Sequence, residues 1–165
     1  MEKNIEDTKH LFKVLKIKAN ILSTSQRRKL NNEGYLVILP TKKIKKKLKT
    51  LSKVSEKLIK LEGDKGGWEA KEKFYKKGKL FEYGTNRLGN LINKHKIFKD
   101  LILVPELLAA AHEVTKCDIK IAGFNLRNPR KGSGKQKIHM DWKPRKNKKE
   151  PYGGIVCFFF IDEAN

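Results

Sequence analysis

Lys137-Ile138-His139-Met140-Asp141-Trp142 is the stretch on which the reading of this chain turns. Side chains of an extended strand alternate between its two faces, so His139 and Asp141, two apart, leave the backbone on one side as an imidazole beside a carboxylate. That pairing is half of a metal site. A neutral imidazole with a carboxylate suits divalent iron, which the non-haem facial triad holds with two histidines and one carboxylate while leaving positions open. A third ligand is then required. Taken alone, His-x-Asp also describes any two polar residues on the solvent face of a strand, and the bare tripeptide fits that description more often than a metal site.

Upstream, a strand-like run from Cys117 to Leu126, interrupted by Gly123, leads into a polar turn from Asn128-Pro129 to Gly134. Downstream, a basic loop from Lys143 to Glu150 precedes Gly154-Ile155-Val156-Cys157-Phe158-Phe159-Phe160-Ile161, apolar on both faces, as in a strand buried from both sides. The earlier part of the chain is helical. Leu11, Val14, Leu15, Lys18, Ile21 and Leu22 recur at helical spacing, and a second short helix, Gln26 to Glu33, follows Ser25 and stops at Gly34. Tyr35-Leu36-Val37-Ile38-Leu39 is a short strand closed by Pro40.

Thr41 caps the next helix, where Ile44, Leu48, Leu51, Ser55 or Leu58, and Ile59 or Leu61 form one apolar stripe and nine lysines fill the other faces. Gly63, Gly66 and Gly67 mark a loop around Trp68, and Gly78 and Gly84 keep the next stretch of chain irregular, a long connection of the kind that serves as a lid. Order returns over 86–94 and 98–104, and Pro105 opens a helix with Leu107, Leu108, Ala111 and Val114 facing inward. Helices first and antiparallel strands afterwards make an α+β layout with no internal repeat.

Charge is the unusual property of these 165 residues: 39 Lys+Arg against 18 Asp+Glu, a formal +21. A field of that sign attracts nucleic acid, an acidic membrane surface or an anionic substrate. Because the lysines are spread along the chain and not gathered into an Arg-rich block interleaved with aromatics, they read as a solvated surface, and nucleic acid is not the expected partner. The basic helix after Thr41 has no Trp or Phe to anchor it in a bilayer interface. No run approaches the ~18 apolar residues of a membrane span, and the charged N-terminus has no apolar core behind it, so a cytoplasmic location is expected. Cys117 and Cys157 form no CxxC pair and read as small buried hydrophobes.

Three motifs fail on their own chemistry. Gly132-Ser133-Gly134-Lys135 has Pro129 where a phosphate loop needs its first glycine and Gln136 where it needs Ser or Thr. His112-Glu113 begins a zinc-protease helix, but Lys116 stands in place of the second histidine. No Ser or Cys has a His partner at a hydrolase spacing. His10 and His95 read as surface residues.

Asn125-Leu126-Arg127-Asn128-Pro129, the glycine-rich turn, Gln136 to Trp142, a polar loop and a strand ending in Ile161-Asp162-Glu163-Ala164-Asn165 together resemble the phytanoyl-CoA dioxygenase family. Asn32-Glu33-Gly34-Tyr35-Leu36-Val37-Ile38 resembles its opening helix-to-strand element, and Arg87-Leu88-Gly89-Asn90-Leu91 with Pro105-Glu106-Leu107-Leu108 its middle helical region. The resemblance runs from about residue 30 onward. It implies a double-stranded β-helix, or jelly-roll, behind a helical N-terminal layer, with iron(II) as cofactor and 2-oxoglutarate as cosubstrate. Such enzymes use O2 to hydroxylate a small-molecule substrate and release succinate and carbon dioxide.

By resemblance His139 and Asp141 are the metal ligands. Asn125, Arg127 and Gln136 lie on stretches that line the cosubstrate and substrate pocket, and Trp142 forms its wall, where it could equally be a core tryptophan. The family also needs a second histidine and a later arginine that pairs with 2-oxoglutarate, and no histidine follows His139. The expectation is therefore a single dioxygenase domain over 1–165, helical over 1–116 and with the first jelly-roll strands over 117–165, forming the N-terminal part of a longer enzyme. Such a fragment would be inactive and prone to self-association through Val156 to Phe160. A non-catalytic basic protein that binds nucleic acid is the alternative class.

Overall fold

The computed structural model describes residues 7–67, 84–141, 145–147, 150 and 152–161. Among them are six α-helices and one two-stranded antiparallel sheet, an α+β arrangement. The helices are α1 (Thr8–Val14), α2 (Thr24–Glu33), α3 (Lys42–Glu62), α4 (Leu91–Lys94), α5 (Lys96–Ile102) and α6 (Pro105–Thr115). The strands are β1 (Thr85–Leu88) and β2 (Leu126–Pro129). None of the described helices is long and apolar enough to cross a membrane. The chain forms two compact units, one from 1–40, 101–120 and 140–160, the other from 41–100, 121–139 and 161–165.

In the first unit α2 packs on α6. Ser23 starts α2 with a reciprocal capping box, its hydroxyl accepting from the Gln26 N–H and the Gln26 side chain accepting from the Ser23 N–H, and Gly34 ends the helix in the left-handed conformation. Leu22, just ahead of the cap, is buried with Ala109 and Ala110 of α6, and Ile21, Leu30 and Leu36 close over them. Thr8 ties the start of α1 to the loop after α6. Its N–H donates to Asp118 at 2.9 Å and its hydroxyl accepts from the Ile119 N–H at 3.0 Å.

Glu113 of α6 is the polar hub of this unit. Arg27 donates to it at 2.5 Å, Asn31 at 3.0 Å and Lys116 at 2.6 Å. The lysine that stands where a zinc-protease helix needs histidine is thus an ion-pair partner. Burial alone would raise the Glu113 carboxyl pKa, but the hydrogen bonds from Lys116, Asn31 and Arg27 outweigh it and bring it from the ordinary 4.5 down to about 2. A depressed carboxylate stabilises the fold fully above its unfolded value and loses that contribution as the pH falls through the folded one. Glu113→Gln should therefore cost about 2 kcal/mol at neutral pH, less than the whole shift because Arg27 and Lys116 stay in contact with water. In denaturant titrations the deficit should narrow as the pH drops from 4.5 toward 2; a deficit that ignores pH would refute the assignment.

In the second unit Thr41 caps α3, its hydroxyl accepting from the Ile44 N–H at 3.3 Å. Leu51 and Ser55 are buried, Ile44, Leu48, Leu58 and Ile59 half-buried, and α3 packs against β1. Of the two alternatives for the end of the stripe, Ile59 is half-buried and Leu61 is 78% exposed. Lys47 pairs with Asp100 of α5, and Lys94 of α4 with Glu62 at 2.5 Å. Leu88, Leu91, Ile97 and Phe98 are buried, with Phe98 edge-on to Phe124.

Several expected elements differ. Helical spacing through Leu22 yields a helix only to Val14, since Lys16 takes a left-handed backbone (φ 53°) that ends it. Residues 35–39, 117–125, 137–141 and 155–161 are not strands, because none has a ladder partner among the described residues. In consequence 155–161 is not buried on both faces: Phe158 and Phe160 are each 75% exposed and stack on one another. Both cysteines are exposed, as those segments lie on the surface. His10 and His95 are half-buried; His95 Nδ1 accepts from the Ile97 N–H at 3.1 Å at the start of α5. The loop around Trp68 lies outside the described residues.

Candidate metal half-site

The segment that carries the candidate residues begins at the sheet. β2 pairs antiparallel with β1, Thr85 opposite Pro129 and Leu88 opposite Leu126. Just before β2, Asn125 Oδ1 accepts from the Asn90 N–H at 3.3 Å and the Phe124 carbonyl accepts from the Leu91 N–H at 3.0 Å, so this arm is fixed to the start of α4.

After β2 the chain turns back on the residue that opens β1. The Arg130 N–H donates to the Gly84 carbonyl at 2.9 Å, Ser133 Oγ to the same oxygen at 3.1 Å, and the Arg130 guanidinium to Asn86 Oδ1 at 3.0 Å. A β-carbon on Gly134 would lie 2.6 Å from Thr85 Oγ1 and 3.0 Å from the Gly84 carbonyl, and Gly134 has φ +72°, so only glycine fits there. The Gly-Ser-Gly that fails as a phosphate loop is a steric latch. Arg127 secures it from inside by donating to the Gly134 carbonyl.

From this latch residues 135–141 run out exposed and without regular secondary structure. His139 donates from Nδ1 to the Lys137 carbonyl at 2.7 Å. A carbonyl only accepts, so Nδ1 carries a proton. Asn125, Arg127, Gln136 and His139 all belong to the second unit, on the two arms of one latched turn. Asp141 belongs to the first unit and is exposed, and Trp142 lies outside the described residues. Among the described residues no three His, Cys, Asp or Glu side chains gather where they could hold a metal. Sequence reasoning missed β1, Asn86, Arg130 and the Gly84–Gly134 latch; the glycine pair in 132–134 was the available signal, but its partner lies some fifty residues earlier. No family model, curated protein or solved structure matches the chain.

Proposed function

We propose that His139 and Asp141 are two of the three protein ligands of an iron(II)- and 2-oxoglutarate-dependent oxygenase of phytanoyl-CoA dioxygenase type, a cytoplasmic enzyme that uses O2 on a small-molecule substrate. The observation that carries this reading is the 2.7 Å hydrogen bond from His139 Nδ1 to the Lys137 carbonyl. Metal-ligating histidines use such a bond from the second ring nitrogen to fix tautomer and orientation. The donor set suits the group: imidazole with carboxylate is the ligand chemistry of divalent iron. Exposed apolar side chains at alternate positions, Val156, Phe158 and Phe160, support the finer fold reading, a jelly-roll whose neighbouring strands cover that face.

When bound, iron and 2-oxoglutarate supply the oxidising chemistry; this chain's residues supply position. Arg127, held to the Gly134 carbonyl, and Asn125, held to the Asn90 N–H, fix the two arms of the turn, and Gln136 and His139 follow from it. With Trp142, these are the residues that would border the cosubstrate and substrate. The test is a cobalt(II) absorbance titration with and without 2-oxoglutarate. The bidentate keto acid should tighten cobalt binding several-fold, whereas succinate, which lacks the keto oxygen, should not; an isotherm indifferent to 2-oxoglutarate would end this reading.

A further inference from the structure

The face of α3 opposite its buried stripe is lysine at every position. At roughly 100° per residue Ile44, Leu51 and Ser55 centre the buried side, and the residues nearest the opposite direction are Lys42, Lys46, Lys49, Lys53, Lys57 and Lys60, all exposed. None of these six has an acidic partner among the described residues; the ion pairs that α3 makes there are Lys47 with Asp100 and Glu62 with Lys94. Glu56, the acid nearest the crest, accepts from Ser52 Oγ at 3.0 Å. Lysines that look scattered in the sequence form a single row in the fold.

A helix face that merely meets water gains from mixing signs, because Glu–Lys pairs at i,i+4 stabilise and like pairs repel. Successive lysines of the row, at spacings of four, three, four, four and three, are like charges, and Glu56, three after Lys53 and four before Lys60, is the acid within reach. A polyanion laid along the crest relieves that repulsion. The row is roughly 27 Å long with about one charge per 5 Å, a linear charge density of the same order as backbone phosphates at about one per 3.4 Å of each strand. α3 contains no aromatic residue to stack on a base, and its apolar face packs within its own unit, leaving nothing to insert into a bilayer. We propose that the α3 crest is a sequence-indifferent binding surface for the phosphodiester backbone of nucleic acid, independent of the metal half-site.

The test is fluorescence anisotropy of a labelled mixed-sequence duplex and its single strand, titrated with the full chain across a salt series. One variant carries Lys46→Gln, Lys49→Gln, Lys53→Gln and Lys57→Gln. A control of equal net charge carries Lys9→Gln, Lys13→Gln, Lys99→Gln and Lys131→Gln. Crest substitution should weaken duplex binding at least ~10-fold and flatten the log K against log salt slope by about three, the single strand losing somewhat less slope, while the control stays within ~3-fold of the parent. Arginine at the same four crest positions should retain binding, and unchanged helical circular dichroism should accompany every variant. Equal losses in crest and control variants, no salt-dependent binding by the parent, or a crest effect confined to phosphatidylserine vesicles would each overturn the proposal.

Discussion

Gly66→Ala should be among the most damaging single substitutions in the second unit, lowering stability by about 3 kcal/mol or more. Gly66 is buried behind the short 3-10 turn that ends α3, and a β-carbon there would lie 2.0 Å from the Arg87 carbonyl oxygen. That oxygen is backbone in the middle of β1, where Arg87 faces Arg127 of β2, so it cannot swing away as a flexible side chain would. Either the turn lifts off the sheet or β1 shifts against β2. Gly132→Ala is the control: its φ is +72° but nothing stands within 4 Å, so only the strain of a left-handed alanine, about 1 kcal/mol, applies. Thermal melts should show Gly66→Ala about 10 °C below the parent, well past Gly132→Ala, with faster amide exchange over 85–88 and 126–129. Equal effects of the two would mean that the close approach of Gly66 to β1 is not real.

Features fixed by local chemistry were legible in the sequence. Thr41 as a cap, Gly34 as a helix stop, Pro105 in a first turn and the α3 stripe each depend on a residue and its near neighbours, and all four are present. Strands were not legible in the same way. Alternation at Tyr35 to Leu39 or Val156 to Phe160 records a preference for an extended backbone, but a strand exists only where another chain segment offers its N–H and C=O groups. Thr85-Asn86-Arg87-Leu88, with one apolar residue, shows the converse: it is a strand because β2 lies beside it. The latch at Gly134 was hidden for a related reason, since its tightness is a contact with Gly84 and Thr85. The basic face of α3 was legible too, since nine lysines lie off the apolar stripe in the sequence; counted along the whole chain the lysines look evenly spread.

For the candidate site, His139 and Asp141 were nameable from residue type and spacing, but the hydrogen bond from Nδ1 to the Lys137 carbonyl needs three-dimensional placement. Arg127 and Asn125, singled out by resemblance as pocket residues, also have structural partners, the Gly134 carbonyl and the Asn90 N–H. Changing either will disturb the turn as well as any ligand contact.

Substituting His139 and Asp141 should abolish metal binding and leave the fold intact. Both are exposed, so alanine at either position should cost little stability, about 1 kcal/mol or less with the Lys137 hydrogen bond that His139 gives up, and thermal melts of each variant separate lost binding from unfolding. Two protein ligands bind a divalent ion less tightly than three, so the parent should show weak, saturable cobalt(II) binding. Removing one ligand from so small a set should cost at least ~10-fold in affinity. The decisive measurement is the visible absorbance of cobalt(II) titrated into the parent, His139→Ala, Asp141→Ala and the double variant at one pH and protein concentration. Each single variant should lose most of the signal and the double variant all of it; a double variant that binds cobalt as well as the parent would contradict the assignment of His139 and Asp141 as metal ligands.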